Sequence, residues 1–460
     1  MSGKDGRLRF EHQKIHSAAE LFEAGKAARG GLPRSAHAEY TPPKHRDPVG
    51  VLRAQHEHRV KELVPLRLER MTASPFAFYR GSAAIQAADL RDAPRTGVDV
   101  TICGDAHLAN FGIYASPERS LVFDLNDFDE AAYGPWEWDV KRFVTSVVIA
   151  ARHRGFKESK VQTAALEAAA SYRIALRQIT QLSVLERYYI RADVHRGQRS
   201  ASSQKILDHA IDAASRRTSA RVVRKITQRT DDGTTAIVEN PPVLTHVPEA
   251  TEKDVLAIVD TYLTTVPSDI AVLLSQYVPT DAVRRVVGVG SVGTLCYIIV
   301  FSGPAGESLV LQLKEANESV AVEFGGAAAG CAPAFESRAD RAEHGHRVVA
   351  NQHVLQAVSD PFLGWVSHEG RAFYVRQFRD QNVSIDTETL DFRPFTDYVD
   401  ACGTVLARAH AQSPAAPFIA GYLGGGTPFD SAVAEWASAY ADQAAADYKT
   451  LRKAVKAGEI

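Results

Sequence analysis

Apolar and polar residues alternate most densely between residues 103 and 139, in the stretch CGDAHLANFGIYASPERSLVFDLNDFDEAAYGPWEWD. This pattern predicts a β-hairpin in which GIY is one strand, ASPERS is the turn and LVFDL is the returning strand. An ordinary solvated loop does not need apolar residues between its charges. We therefore expect these residues to anchor short strands and the carboxylates to converge at the strand ends.

Helical periodicity follows this stretch directly. Apolar residues recur at helical spacing and predict one buried helix face, formed by Val140, Phe143, Val144, Val147, Val148 and Ala151. Later, the segment RRVVGVGSVGTLCYIIVFSGPAGESLVLQLKEA is patterned as β-strands, and two amphipathic helices are predicted over about 397–411 and 431–455. The elements together predict an α+β fold with a small antiparallel β lobe and a mostly helical large lobe.

The length of the chain favours two lobes, because 460 residues are too many for one simple core. We divide it into an N-terminal arm (1–45), a part carrying the 103–139 stretch with helices (46–275), a small β lobe (276–385) and C-terminal helices that return to the large lobe (386–460). GGLPRSAHAEYTPPKHRDP near the start predicts an extended arm.

Composition excludes several classes of protein. The net charge of -2 provides no global field that would draw the chain to nucleic acid or membrane, and no apolar run approaches spanning length. The four cysteines lie far apart without a C-x-x-C pair, which argues against zinc and a disulfide framework. The polar N-terminus has no signal-peptide core, so the cytoplasm is the expected compartment.

The spacing of polar residues in the 103–139 stretch indicates a chemistry. Asp105 and Asn110 are five residues apart, as in the phosphotransferase loop D-x-x-x-x-N, where the Asp accepts a hydroxyl proton and the Asn binds a metal. The returning strand delivers Asp124, and Asp127 is the rival for the role of second metal ligand. Mg²⁺ is the expected cation. The alternative is a structural loop or a calcium site, but the EF-hand pattern is absent.

Glycines mark the second candidate site. Gly288, Gly290 and Gly293 lie in the pattern G-x-G-x-x-G-T, which also contains Ser291 and Thr294. Because this pattern sits between strands, it argues against a dinucleotide-binding turn and favours a phosphate-covering hairpin. The returning strand ends at Lys314, which could neutralise a phosphate oxygen. The alternative is a glycine-bulged hairpin with an exposed lysine.

Two further groups of charged residues bear on these candidate sites. A kinase helix after Lys314 would offer it a glutamate, and Glu336 and Glu343 are both candidates. Arg67, Arg70 and Arg80 stand out in the N-terminal third. We expect them to pair with surface carboxylates, with an anion-binding backbone nest at Arg80 as the alternative.

Longer motifs carry a family resemblance. RMTASPFAFYRGSA, GDAHLANFG, FDLNDFDEAAYGPWEWDVKR, VVGVGSVGT and LQLKEA resemble the bacterial "domain of unknown function 2252" family, from about residue 45 to the C-terminus. That family name supplies no activity. The same pieces resemble protein-kinase-like and aminoglycoside-phosphotransferase-like enzymes, whose loop reads roughly H-G-D-x-H-x-x-N.

The second resemblance implies a set of roles. Asp105 would be the catalytic base with His107 beside it, and the metal would be held by Asn110 with Asp124 or Asp127. ATP phosphates would be bound by Gly288, Gly290, Ser291, Gly293, Thr294 and Lys314. The acceptor would be an unidentified small molecule or protein, and nucleic acid is an unlikely partner.

The order of these pieces is reversed relative to a kinase, which we interpret as a circular permutation. Cys103 stands where the usual His would be, and no D-x-G glycine follows the metal Asp. The expected function is an ATP- and Mg²⁺-dependent phosphotransferase. The alternatives are an AMP-transferring enzyme, a nucleotide-binding pseudokinase, and a metal-dependent phosphoesterase built on Asp105 and His107.

Overall fold

The structure is a computed structural model that describes most of the chain. The described residues are 16–194, 201–216, 219–229, 235–246, 249–286, 288–290, 292–328, 343–378 and 382–460. Within them the fold combines α-helices with antiparallel β-sheets, as the sequence predicted. None of the helices in these ranges has the length and apolar character needed to cross a membrane.

The helices are numbered in chain order. They are α1 (Ala18–Ala28), α2 (Pro48–Glu57), α3 (Val64–Thr72), α4 (Pro75–Arg80), α5 (Ala83–Leu90), α6 (Trp136–His153), α7 (Glu158–Ile179), α8 (Val184–Tyr188), α9 (Ala201–Ser215), α10 (Ser219–Ile226), α11 (Glu249–Tyr262), α12 (Ser268–Leu274), α13 (Val320–Glu323), α14 (His344–Leu355), α15 (Phe392–His410), α16 (Ala416–Leu423) and α17 (Pro428–Ala457).

The strands are numbered in the same way. They are β1 (Asp99–Ile102), β2 (Phe111–Ala115), β3 (Leu121–Leu125), β4 (Ala132–Pro135), β5 (Thr227–Arg229), β6 (Thr235–Ile237), β7 (Leu244–His246), β8 (Val278–Arg285), β9 (Cys296–Ser302), β10 (Ser308–Glu315), β11 (Gly364–His368), β12 (Arg371–Gln377) and β13 (Val383–Ser384).

The largest sheet is antiparallel and has the strand order β11-β12-β10-β9-β8-β7. Its strands alternate between two apolar clusters because successive side chains of a strand point to opposite faces. On β9, Ile298 and Val300 join one cluster, while Tyr297 and Ile299 join the other, which also contains Tyr262 of α11. The sheet includes β7, so the β-rich part begins earlier along the chain than the predicted residue 276.

The predicted hairpin is present as β2 and β3, paired from Phe111 opposite Leu125 to Ala115 opposite Leu121. Strand β13 adds to the other edge of β2, through Val383 opposite Ile113. Strands β1 and β4 form a separate antiparallel pair that flanks the connection between Ile102 and the hairpin. Asp105, His107, Asp127 and Asp129 therefore lie between short, buried strands, while Asp124 lies within β3.

Helix α6 is buried along almost its whole length. The six apolar positions predicted for it are all in the main core, but its polar residues are buried as well, including Lys141 and Arg142. Helices α7, α15 and α17 contribute to the same core. Burial lowers the pKa of Lys141 to about 8, and its ammonium lies 4.6 Å from the ring centroid of Trp436.

The N-terminal segment packs against the C-terminal helices. Helix α1 contacts α16 so closely that a Cβ on Gly25 would lie 1.9 Å from the carbonyl oxygen of Phe418. His37, in the stretch predicted to be an extended arm, is fully buried and bonded to the hydroxyl of Tyr422 at 2.9 Å. This part of the arm prediction is wrong, because its aromatic and arginine contacts attach it to α16 and α17. Residues 1–15 lie outside the described part.

Candidate active site

Asp139, at the start of α6, fixes the backbone of the loop that follows β1. Its two carboxylate oxygens accept hydrogen bonds from the backbone N–H groups of Cys103 at 2.6 Å and Gly104 at 2.9 Å. His410 of α15 contacts the same carboxylate at 3.1 Å. Asp139 therefore ties the first turn of α6 to this loop.

Gly104 allows the chain to turn sharply into Asp105. Its φ is +76°, in the left-handed region, and a Cβ there would lie 2.0 Å from the carbonyl oxygen of Glu130. Only glycine fits both constraints. The turn brings the loop after β1 against the loop after β3, so that Asp105 and Glu130 line the same cleft.

Asp105 is held from one side by Arg142 of α6. The Arg142 Nε donates to Asp105 Oδ1 at 2.8 Å, and the Nε2 of His107 lies 3.6 Å from the other carboxylate oxygen. Burial lowers the pKa of His107 to about 4, against the opposing effect of Asp105. At neutral pH the His107 imidazole is therefore uncharged, while Asp105 has an oriented carboxylate that faces the cleft.

Asn110 connects the two loops through its side-chain amide. Its Nδ2 donates to the backbone carbonyls of Asp105 at 3.1 Å and Asp127 at 3.0 Å. Its Oδ1 is buried and has no hydrogen-bond partner among the residues that the structure describes. An unsatisfied buried oxygen is costly unless a ligand completes it, so Asn110 presents one acceptor for a donor or a cation.

Asp127 and Asp129 form a pair of close carboxylates at the end of β3. Asp127 Oδ1 is buried without a hydrogen bond, and the Lys314 Nζ lies 3.8 Å from it. Burial, together with the neighbouring charge of Asp129, raises the pKa of Asp127. Burial also opposes the ionisation of Asp129, but Lys314 and the Tyr374 hydroxyl, which donates at 2.7 Å, lower its pKa.

Lys314 lies on β10, as predicted, and is 3% exposed at its side chain. Its ammonium contacts the carboxylate of Asp129. Burial opposes this charge, yet Asp127 and Asp129 together raise the pKa of Lys314. The lysine is not among the residues that line the cleft, which it reaches through these carboxylates. The alternative of an exposed lysine on a glycine-bulged hairpin is therefore wrong, and phosphate binding by Lys314 stays a prediction.

The two glutamates proposed as partners of Lys314 have different outcomes. Glu336 lies outside the described residues. Glu343 occupies the position that precedes α14, while the carboxylate in contact with Lys314 is that of Asp129 from the opposite loop. Helix α14 instead directs Arg347 toward that loop, where it donates to the backbone carbonyl of Asp129 at 2.8 Å.

Asp124 is placed away from the cleft. One of its carboxylate oxygens accepts from Leu125 N at 2.9 Å and the other from Ala357 N at 2.8 Å. The side chain is buried, and burial raises the pKa of this carboxyl. Both oxygens are satisfied by the protein, so of the two rival residues it is Asp127 that the structure brings to Asp105 and Asn110.

The glycine loop, residues 286–294, is held by the N-terminal helices. Arg70 donates to the carbonyl of Gly288 at 2.6 Å, Arg59 to that of Val292 at 2.5 Å, and the backbone N–H of Val60 to that of Gly293 at 2.8 Å. Gly288 and Gly293 have φ of +67° and +92°. Ser291, proposed as a phosphate ligand, lies outside the described residues.

One cleft of about 460 Å³ collects most of the predicted residues. Its lining includes Asp105, His107, Asn110 and Asp127 from the first candidate site and Gly288, Gly290 and Thr294 from the second. An adjoining cleft of about 460 Å³ shares Asn126, Arg376 and Asn382 with it. That second cleft is rich in amides and arginines and contains the ring of Phe378.

A family comparison covers most of this chain. Residues 59–454 match the profile of a family described as "Uncharacterized protein conserved in bacteria (DUF2252)". The chain belongs to the DUF2252 family. No curated protein and no solved structure matches it. The matched region contains every lining residue of the first cleft except Gln55 and His58. This cleft therefore lies almost entirely within the part of the chain that matches DUF2252.

The residues around this DUF2252 cleft are suited to a hard cation. The buried oxygens of Asn110 and Asp127 lack hydrogen-bond partners and are the ligand type that Mg²⁺ prefers. Elsewhere in the described part, one group of three potential ligands has its atoms within 4.8 Å of one another, namely Asp254, His368 and Glu369. That group includes exposed side chains and is not part of the cleft.

The sequence analysis missed the arginines of this DUF2252 member. Arg67 and Arg80 line the cleft, and Arg67 is fully buried, so the prediction of surface ion pairs is wrong for both. Arg59, Arg142 and Arg376 were not identified at all. The signal for Arg142 was its place one helical turn after Asp139 in a stretch already assigned to the site.

Proposed function

We propose that this protein is an ATP- and Mg²⁺-dependent phosphotransferase with a circularly permuted, kinase-like, two-lobed fold. The observation that carries the proposal is the meeting of two distant segments at one cleft. Asp105, Asn110 and Asp127 come from one segment, and the glycine loop comes from another about 160 residues later. Asn110 and Asp127, whose Oδ1 atoms have no hydrogen bond within the described residues, line the same cleft as Gly288 and Gly290.

The order of strands supports the kinase-like fold. From β8 onward the chain forms a hairpin around the glycine loop, then β10 with Lys314, then α14, then β11 and β12, and β12 pairs with β10. A kinase small lobe has a glycine loop followed by a strand that carries the phosphate-binding lysine, and a helix follows. Helix α15, which is C-terminal in this chain, contacts β1 and Asp139 next to the Asp105 loop.

The residues divide the chemistry among them. Asp105, oriented by Arg142, would accept the proton of an acceptor hydroxyl. The oxygen of that hydroxyl would form a bond to the terminal phosphorus of ATP as the bond between this phosphorus and the departing ADP breaks. Asn110 and Asp127 would hold the cation through their free oxygens. Mg²⁺, when bound, would offset the charge of the phosphate oxygens.

Lys314 contributes differently from the simplest kinase expectation. In this structure its ammonium is bound to Asp129, so direct binding of a phosphate by Lys314 requires that this contact open. With the contact closed, Lys314 keeps Asp129 ionised and offsets the charge of the Asp127–Asp129 pair. The glycine loop would then cover the phosphates through its backbone N–H groups.

The base of a nucleotide would lie in the adjoining cleft. Phosphates would lie between the glycine loop and Asp127, and the base would lie past Arg376, near Phe378 and the amides of Gln312 and Asn382. Aromatic and amide groups are the usual contacts for a base. Arg376 lines both clefts and donates to Gln312 at 3.0 Å.

The experiment that tests the proposal combines binding with transfer. We would measure the melting temperature with ATP, ADP and Mg²⁺, alone and together, for the wild type, Asp127→Asn and the exposed control Asp92→Asn. The expected result is a rise that needs nucleotide and Mg²⁺ together, is retained in Asp92→Asn and is reduced in Asp127→Asn. Label on the terminal phosphate of ATP should then move to a hydroxyl acceptor or to water.

Other outcomes select the other functions. Transfer of label from the α-phosphate would identify an AMP-transferring enzyme, and nucleotide binding without turnover would identify a pseudokinase. A melting shift with metal alone, with no effect of nucleotide, would overturn the phosphotransferase and favour a metal-dependent phosphoesterase that uses Asp105 and His107.

A further inference from the structure

The N-terminal helices α2 to α5 form one wall of the cleft, and the phosphotransferase chemistry above leaves this wall without a role. It reaches the cleft through Gln55, His58, Arg59, Arg67, Arg80 and Gly81. Three of these residues are arginines. The facing loops contribute the carboxylates of Asp105, Asp127, Asp129 and Glu130.

Arg80 is the most unusual of the three arginines. It is the last residue of α4, and its Nε is buried without a hydrogen-bond partner. Across the described ranges its guanidinium has neither a hydrogen bond nor an ion pair. Burial lowers the pKa of Arg80, and the charges of Asp105 and Asp127 partly offset this effect without contacting it. The guanidinium is thus partly buried in the cleft wall, and its donors are available to an anion that enters the cleft.

Arg67 and Arg59 have only neutral partners within the described residues. Arg67 bonds to His56 at 2.6 Å, to Gln55 at 3.0 Å and to a backbone carbonyl, and its Nε is also unsatisfied. Burial and the neighbouring arginines lower the pKa of His56 to about 4, so this histidine adds no charge at neutral pH. Arg59 bonds to the carbonyl of Val292.

The position of Arg80 identifies which anion it faces. It lines the same cleft as Asp105, Asp127 and His107, which include the proposed base and the proposed metal ligand, and its charge acts on all three. Its backbone carbonyl lies 3.4 Å from where a Cβ on Gly290 would be, so α4 ends against the tip of the glycine loop. Arg80 thus lies between the glycine loop, which would cover phosphates, and the residue that would receive the acceptor proton.

We infer that Arg80 binds the phosphoryl group that is transferred, the terminal phosphate of a nucleoside triphosphate, with Arg59 and Arg67 supplying further positive potential. The inference rests on the proposed function. Guanidinium groups recognise phosphate oxygens through two parallel hydrogen bonds, which a lysine cannot reproduce. An arginine supplied in cis stabilises the charge that spreads over those oxygens during transfer.

The variants that test the inference are Arg80→Ala, Arg80→Lys and the control Arg53→Ala. Arg53 is exposed on α2 and donates to the backbone carbonyl of Glu459, outside the cleft. Binding of ATP and ADP, each with Mg²⁺, would be measured by calorimetry. Turnover would be measured with ATP labelled on its terminal phosphate. The Lys variant retains the charge and most of the packing, so it serves if the Ala variant does not fold.

The expected result is a selective loss. In Arg80→Ala, ATP should bind roughly tenfold more weakly while ADP binds as in the wild type, because only ATP has the phosphate that Arg80 contacts. Turnover should fall on the order of 10³-fold in Arg80→Ala, with partial recovery in Arg80→Lys. Arg53→Ala should leave both affinities and turnover unchanged.

Failure of the Arg80 inference and failure of the proposed function give different results. If the wild type binds ATP, and Arg80→Ala and Arg80→Lys retain its affinity and turnover, the role of Arg80 is overturned while the phosphotransferase stands. If the wild type binds no nucleotide, inorganic pyrophosphate is the next probe. Stabilisation of the wild type by pyrophosphate, absent in Arg80→Lys, would support an oxyanion site at Arg80 without the phosphotransferase. Equal melting shifts would overturn that site as well.

Discussion

The loop after β1 and the glycine loop meet at the same cleft but are held in different ways. The first is fixed by residues close in sequence, since Asp139 and Arg142 lie within 37 residues of the groups that they bind. The second is fixed by Arg59, Val60 and Arg70, which are more than 200 residues away. The main contacts of the first loop therefore come from a nearby part of the chain, whereas the second loop depends on contacts that only the fold creates.

We expect the loop after β1 to be more stable against local opening than the glycine loop. The first loop is buried among strands and α6, and its backbone donors are satisfied by a buried carboxylate. The glycine loop is held by arginine side chains at the edge of the cleft, and the Arg70 contact is exposed. Regions with few buried contacts open at lower free energy, so the glycine loop should open more readily than the loop after β1, which would suit the phosphate-covering role proposed for it.

The largest effect should come from Gly104→Ala compared with Gly97→Ala. Both glycines have nearly the same φ, +76° and +75°, but only Gly104 lies against another backbone. Gly97→Ala should cost about 1 kcal/mol for the left-handed conformation alone. Gly104→Ala adds a clash with the Glu130 carbonyl, so its cost should exceed about 4 kcal/mol in urea unfolding. Equal costs would show that the first loop is less rigid than we infer.

A smaller effect is expected from Arg70→Ala, which removes one tether of the glycine loop. The lost bond to Gly288 is exposed, so the free energy of unfolding should fall by about 1 kcal/mol or less. Amide hydrogen exchange around 286–294 should nevertheless become faster, while the loop after β1 stays protected. Arg53→Ala, which removes a similar arginine-to-carbonyl bond, is the control. Unchanged exchange around 286–294 would remove the contrast between the loops.

The smallest effect should be a change in pH dependence at Glu130. Burial raises the pKa of Glu130 from 4.5 to about 7, so between these values the folded protein retains a proton that the unfolded chain has lost. Stability should therefore fall as the pH rises through this range. Glu130→Gln removes the contribution, roughly 0.7 kcal/mol between pH 6.5 and pH 7.5. Melting curves at both pH values would check it, and an identical pH dependence in the variant would contradict it.

Sequence patterns were sufficient to predict the secondary-structure elements around the site. They could not show whether Asp124 or Asp127 lies in the cleft. The hairpin β2–β3 and the strand with Lys314 follow from alternation and turn residues, and both predictions are confirmed. Asp124 and Asp127 fit the same spacing argument equally well. Their roles differ because the backbone of Ala357, over 230 residues away, supplies a donor to Asp124.

The arginines show a second limit of sequence analysis. A lone arginine in an amphipathic segment is normally solvated, so the sequence favoured surface pairing for Arg67 and Arg80. Their burial results from the docking of α2 to α5 over the cleft, a tertiary event that leaves no periodic signal. The family match spans these residues but supplies no role for them.

The hydrogen bonds of the Asn110 amide affect how much binding free energy a ligand would lose in ordering the site. Its two N–H bonds join the backbone at Asp105 to the backbone at Asp127, which sets the separation of those residues before anything binds. The free-energy cost of ordering these loops is then part of folding, so it does not weaken the binding of a ligand. The cation of the proposed function would therefore meet loops that are already ordered, and its binding would require little reorganisation of the protein.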